Sequence, residues 1–251
     1  MLSEIFSINS KIVDFFTGTT ESHRLIRKAF DVWHKCIVEE FEEKREKDSL
    51  EKLWKDFANI TETCTIRSKL SNIKLTPFVN SDETKYYLFS DIPEDFEPSV
   101  IVSLGIGADV GAELALKEKL PEDTEFFGAD PVYSPNAELF SKVGTFFPLA
   151  VSERTGLVRS GLRNDDGSYR EVDAVSIDML TFLRDMVNRT VIDHLIMDNE
   201  GPEFDLLPMI AVDNVLERNG ITICQMNVEV TSLLTVLFSN RYHVASKFRP
   251  F

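Results

Sequence analysis

The sequence predicts an α/β fold, a parallel Rossmann-like sheet preceded by a helical amino-terminal segment. Three observations carry this reading. The apolar run Val100, Ile101, Val102 and Leu104 meets a turn holding Gly105 and Gly107, and a helical pattern follows directly to Leu120 and stops at Pro121. About twenty-five residues after the first glycine, a second apolar run, TEFFGADP, ends in Asp130. A third, IDHLIMDNEGPE, ends in Asp198 and Glu200. Strand, glycine turn, helix, strand and acid is the order of a doubly wound sheet that takes a ribose-bearing ligand at its carboxyl edge.

The elements follow in chain order. Residues 21 to about 70 read as helical, because Ile26, Phe30, Trp33, Ile37 and Phe41 recur at three- and four-residue steps and form one apolar stripe. Glu40 with Lys44 and Glu43 with Lys47 are four-residue ion pairs on the other face. Asp48 with Glu51 has the form of a capping box that restarts the helix, and Leu50, Leu53, Trp54 and Phe57 continue the apolar face. These helices either dock on the main domain or close over a substrate as a lid. A short strand, KYYLFS, and the Pro-bearing connector DIPEDFEPS follow, and the domain boundary is placed there: 1–98 helical segment and connector, 99–251 main domain.

From Val100 onward, strands at 100–104, 124–129, 145–151, 171–177, 192–197 and 220–229 alternate with helices at 109–120, 134–142, 178–188 and 202–216. Such alternation indicates parallel βαβ units. The segment ERTGLVRSGLRNDDGSYREV breaks the rhythm, and its Asn164-Asp165-Asp166-Gly167 reads as a hairpin turn between two short edge strands.

Composition bounds the partners. With 27 basic against 42 acidic residues the 251-residue chain carries a formal charge of −15, a field that repels phosphate backbones and disfavours nucleic acid. No run approaches the roughly 18 apolar residues of a membrane span. The amino end lacks the charged start and unbroken apolar core of a signal peptide, so a cytoplasmic location is expected, with the oligomeric state left open. Cys36, Cys64 and Cys224 are too few for a metal cluster or a disulfide framework, and Cys36 and Cys64 would pair only if two helices bring them together.

Each chemistry-bearing residue has a functional and a structural reading. Gly105 and Gly107 let the backbone curl beneath a ligand, and the next helix offers amides to it. The spacing is not the full GxGxxG, since position 110 is Val and Gly111 follows, which disfavours a dinucleotide; no Walker-type GK[ST] is present. Asp130 accepts ribose hydroxyls or caps the Pro131 turn. Asp198 and Glu200 bind a substrate amine, act as general base or hold a cation, or else Glu200 and Gly201 cap the helix that begins at Pro202. One short acidic cluster gives a hard cation too few oxygens, so no metal is expected. The four histidines share no ligand spacing, and His194, inside an apolar strand, reads as a satisfied core residue.

From about Val100 to Val230 the chain resembles the FkbM family of S-adenosylmethionine-dependent methyltransferases, in particular a nematode-like branch. The markers, in order, are SLGIGAD, FGADP, LAVSERTG, VSIDML and IMDNEGPEFDLL, the last resembling a D-x-E-G-x-E signature. The resemblance implies a class I methyltransferase sheet with S-adenosylmethionine over Gly105 and Gly107 and its ribose on Asp130. It also implies that Asp198 and Glu200 face the methyl group and a small-molecule acceptor, Glu200 as base and Asp198 orienting. Ser103 stands where the family pattern has an acid before the first glycine, and Asp109 is the substitute at hand. Ile196 stands where a lysine often precedes the D-x-E-G motif. A class I sheet adds a helix and a strand pair after the fifth strand, and with 21 residues after Val230 those elements are expected to be abridged. The implied activity is O-methylation of a small molecule or sugar. A non-catalytic scaffold on the same fold, or a nucleotide-sugar or NAD enzyme, are the rival readings.

Overall fold

A computed structural model describes residues 21–81, 83–89, 98–163, 169–199 and 201–230. The described residues divide into two compact units, one that ends at Ile73 and one of Lys74–Glu229. The hairpin strands that precede residue 98 therefore belong with the sheet, and the division falls at Ile73, twenty-five residues upstream of the boundary placed from the sequence.

In the first unit, helix α1 (Glu21–Lys47) and helix α2 (Leu50–Ser68) lie antiparallel, followed by a 3₁₀ turn at Leu70–Asn72. Their core is Cys36, Ile37, Phe41, Leu53, Ile60 and Cys64, with Trp33 and Phe57 against it. The Trp33 indole donates to Thr65 Oγ1 at 3.1 Å, and Trp54 stacks on Phe57. Ser49, one residue after the expected cap, accepts from the Lys52 amide, and Asp48 pairs instead with the Lys52 ammonium. Glu43 and Lys47 pair as expected; Glu40 and Lys44 instead reach across to Arg67 and Asp56. Cys36 and Cys64 are joined in a disulfide, since the antiparallel helices do bring them together.

The second unit holds a five-stranded, wholly parallel sheet: β3 (Val100–Leu104), β4 (Glu125–Ala129), β5 (Thr145–Phe147), β9 (Val191–Met197) and β10 (Thr222–Val228) in the order β10-β9-β3-β4-β5. Every residue of β3 is buried, as expected of a central strand covered on both faces. Alternate side chains enter two cores. Val100, Val102 and Leu104 pack with Met179, Phe182, Leu195 and Leu206, while Ile101 packs with Phe126, Phe140, Leu116 and Ile196. On the second face lie α3 (Gly111–Lys117) and α4 (Asn136–Phe140); on the first lie α5 (Met179–Thr181), continued as a π-helix over Phe182–Val187, and α6 (Glu203–Ala211) with α7 (Val215–Arg218).

Three expectations from the sequence change. The strand read at 145–151 is two strands, β5 and β6 (Ala150–Ser152), because Pro148 cannot donate to a ladder and the chain leaves the main sheet there. β6 joins β7 (Gly156–Arg163) and β8 (Tyr169–Asp178) in a separate sheet of order β6-β8-β7. β7 and β8 are thus eight and ten residues long rather than short edge strands, antiparallel in register from Gly156–Ser176 to Arg163–Tyr169. Asn164–Gly167 lies outside the described residues. The helix read at 202–216 is also two, broken at Asn214, which takes a left-handed φ of 50°.

The KYYLFS strand appears as β2 (Thr84–Tyr87), paired antiparallel with β1 (Thr76–Val79). Side-chain amides of β10 bind its backbone: Asn227 takes both polar groups of Tyr86, and Gln225 both of Leu88. They do the work of a further strand and cover the β10 edge.

Candidate functional site

The carboxyl ends of the strands gather the residues singled out in the sequence. The order reverses at β3, with β4 and β5 running one way and β9 and β10 the other, and ligands of open α/β sheets sit outside the strand ends at such a point. Gly105 follows β3, Asp130 follows β4 and Asp198 follows β9, each continuing its ladder: the Gly105 amide donates to Ala129 O and the Asp198 amide to Leu104 O.

The two glycines have different reasons. Gly105 has φ +79°, and a Cβ there would lie 1.8 Å from the Asp198 carbonyl oxygen, so the turn needs glycine to pass the β9 backbone. Gly107, at φ +59°, has nothing within 4 Å of where its Cβ would be. That side of the turn is open space.

Asp130 is 5% exposed and holds the turn. One carboxylate oxygen accepts from the amides of Ile106 at 2.7 Å and Gly107 at 3.3 Å, and the other from Val132 at 2.7 Å. Asp109 accepts from Gly111 at 2.8 Å and from the Ser81 amide at 2.7 Å. Burial pushes the Asp109 carboxyl up, but these two amides and the Lys85 charge outweigh it and hold it below the usual carboxylate range. Asn136, 2% exposed, accepts from the Ala108 amide, and Asn80 from the Ala112 amide. The amides that the sequence offers to a ligand at Gly111 and Ala112 are therefore taken by the protein's own side chains.

Ser103, at the position of the family's acid, is fully buried, and its hydroxyl donates to Glu113 Oε1 at 3.1 Å. Glu113, from the first turn of α3, thus sets a carboxylate against the Ser103 hydroxyl two residues before Gly105, while Asp109 holds the Gly111 amide and the Ser81 amide between β1 and β2.

Asp198 lines a cavity of about 110 Å³ with Glu83, Lys85, Asn227 and Glu229. The carboxylates of Glu83, Asp198 and Glu229 lie within 4.8 Å of one another, and the Lys85 ammonium is 3.2 Å from Glu83. The Lys85 ammonium stands beside this trio and competes with any cation for its oxygens. Glu200 lies outside the described residues. The residue that closes the loop after β9 is Glu203, which is fully buried. Its carboxylate accepts from the amides of Asn199 and Gly201. Glu203 is the last acid of the D-x-E-G-x-E signature, so the signal for it was in the sequence; Asn80, Asn136, Lys85 and Glu113 had none.

The other motif segments serve the scaffold. Asp178 of VSIDML caps α5 at Thr181 and accepts from the Thr155 hydroxyl, while Ser152 and Ser176 bond at 2.6 Å between β6 and β8. His194 is 1% exposed with Nε2 on Asn227, and its Nδ1 has no partner among the described residues. Burial, with the Lys85 charge nearby, pushes its pKa down to about 4.

A parallel sheet of this strand order, with a glycine turn at the reversal and acids on the neighbouring strand ends, defines a Rossmann-like methyltransferase fold. The methyltransferase FkbM domain family matches residues 54–242, and the chain belongs to that family. No curated protein and no solved structure matches it. Among the described residues no helix is long and apolar enough to cross a membrane.

Proposed function

We propose that the chain transfers a methyl group from S-adenosylmethionine to an oxygen of a small molecule or sugar. The observation that carries this reading is the convergence of Gly107, Asp130 and Asp198 at the strand-order reversal, in a chain of this family. The residues fit the donor: Gly107 leaves open space over the turn, and a carboxylate oxygen of Asp130, which can accept more than one hydrogen bond, stands at the end of β4 for a ribose hydroxyl. When bound, the donor supplies an electrophilic methyl carbon on a sulfonium. The protein's part is alignment, plus a carboxylate that takes the acceptor's hydroxyl proton. Glu200 is assigned that proton from the sequence pattern, and Asp198, on the cavity wall, orients the acceptor. The net charge of −15 favours a neutral or cationic acceptor over a phosphorylated one.

A second reading, a methyltransferase-like scaffold without activity, is favoured by one observation. The amides of Ile106, Gly107, Ala108, Gly111 and Ala112 are all bound by the protein's own side chains. Calorimetric titration with S-adenosylmethionine and with NAD separates the readings: donor binding without NAD binding supports the transferase, and binding of neither supports the scaffold. Transfer of labelled methyl into a mixed metabolite extract then tests activity.

The Cys36–Cys64 disulfide bears on location. Structural disulfides persist in oxidising compartments and are rare in the cytosol, so the pairing favours a secretory or extracellular setting over the cytoplasmic one expected from the sequence.

A further inference from the structure

We propose that Lys85 is a positioning residue for the glycine turn, acting through Glu113 and through the β1–β2 tip; the functional consequence rests on the donor-binding reading above. Lys85 is on β2 and its side chain is 7% exposed, a rare state for lysine unless it is paired. Its ammonium reaches Glu83 on the cavity wall at 3.2 Å and Glu113 Oε1 on α3 at 3.4 Å. Glu113 is 1% exposed, shares Oε1 with the Ser103 hydroxyl and leaves Oε2 without a partner among the described residues. Burial pulls the Lys85 pKa down, but the carboxylates of Glu113 and Glu83 outweigh it and raise it, so the charge is kept in the interior.

Two further links join the same parts. The Ser81 amide donates to Asp109, and the Asn80 side chain accepts from Ala112, so the hairpin tip is tied to the turn and to the start of α3 at three points. Of these ties, Ala112 to Asn80 is a neutral amide bond at a part-buried position, and Ser81 to the Asp109 carboxylate lies at an exposed one. Lys85–Glu113 is the buried, charged one. A buried pair of this kind adds little net stability compared with apolar packing, but losing one partner strands the other charge. What it does specify is geometry, because the ammonium can meet both carboxylates only with the tip seated over the turn.

The test reads the turn directly and needs no ligand. Amide hydrogen exchange is followed by mass spectrometry on wild type, Lys85→Met, Glu113→Gln and Lys85→Arg, with donor affinity measured on each by calorimetry. Expected is exchange at least tenfold faster in residues 105–112 of Lys85→Met and Glu113→Gln, with β9 protection unchanged. Lys85→Arg, which keeps charge and reach, should return toward wild type. Donor affinity should fall tenfold or more in the first two variants. Unchanged protection at 105–112, or an equal loss across β9 in every variant that folds, overturns the proposal, since a merely structural pair loosens the sheet as a whole. Should Lys85→Met fail to fold, Glu113→Gln and Lys85→Arg carry the same comparison. A wild type that binds no donor, with the exchange effect intact, would remove the donor-binding reading and leave the clamp.

Discussion

The Asp198 carbonyl oxygen stands 1.8 Å from the point that a Cβ on Gly105 would occupy, whereas the same point on Gly107 faces nothing within 4 Å. One glycine makes room for the protein, the other for whatever lies above the turn. Gly105→Ala should therefore cost about 3 kcal/mol or more, by backbone collision and strain at positive φ. Gly107→Ala should cost about 1 kcal/mol for the left-handed φ alone and should weaken donor binding. Thermal melts and calorimetry on both variants check this; equal destabilisation would refute the division of roles.

Asp130 tests the next link, from turn to ligand. Removing its carboxylate in Asp130→Ala leaves buried amides unpaired, and the expected loss is about 2–4 kcal/mol. Asp130→Asn keeps the shape but sets an NH₂ against N–H donors, so it should not rescue. Donor affinity should fall at least tenfold in each variant that remains folded. Normal affinity in Asp130→Asn would take Asp130 out of the ligand site.

Asp198→Asn and Glu200→Gln decide between transferase and scaffold. In a transferase, donor binding persists while turnover falls about a hundredfold or more on loss of a general base or an orienting carboxylate. In a scaffold there is no turnover to lose, and relieving the repulsion among Glu83, Asp198 and Glu229 should raise the melting temperature of Asp198→Asn. Methyl transfer and melting are measured on the same two proteins.

His194 predicts a pH dependence whose sign is fixed by its burial. The folded pKa, about 4, lies below the ordinary 6.5, so above pH 6.5 neither state holds the proton and no penalty exists. As pH falls from 6.5 toward 4, the unfolded chain takes up a proton that the fold refuses, and stability drops by on the order of 3 kcal/mol in total. Urea denaturation at pH 7, 5.5 and 4.5 should show this fall, and His194→Gln should flatten it.

Cys36 and Cys64 close a separation of 28 residues in a unit whose buried apolar core, among the described residues, is six side chains. The double Ser variant should lose about 3 kcal/mol, concentrated in the helical unit. Peptide mapping of the unreduced protein, with free thiols alkylated first, should recover the linked pair. Cys224, on β10, has a thiol pushed up to about 12 by burial and the nearby Asp193 charge; it should alkylate only on unfolding.

The parallel core was written locally. Val100–Leu104, Glu125–Ala129 and Val191–Met197 are apolar runs whose own composition demands burial on both faces, and each ends in the glycine or acid that marks its carboxyl end. The switch at Gly105 and the acids Asp130 and Asp198 share that origin, since each is fixed by its place at a strand end, and the buried Glu203 follows from the signature that begins at Asp198. The hairpin's role was not legible in this way. Asn80, Ser81 and Lys85 precede β3 by about twenty residues and have no periodicity to announce them, yet their side chains or amides meet Asp109, Ala112 and Glu113. Ser103 could be read as a missing acid, but not as the partner of a glutamate ten residues on. The same holds for Cys36 and Cys64, separated along the chain and joined only because two helices run antiparallel. A strand's burial follows from its own sequence, whereas a polar partner across 20 to 30 residues is selected by the packed backbone, and only the tertiary structure decides it.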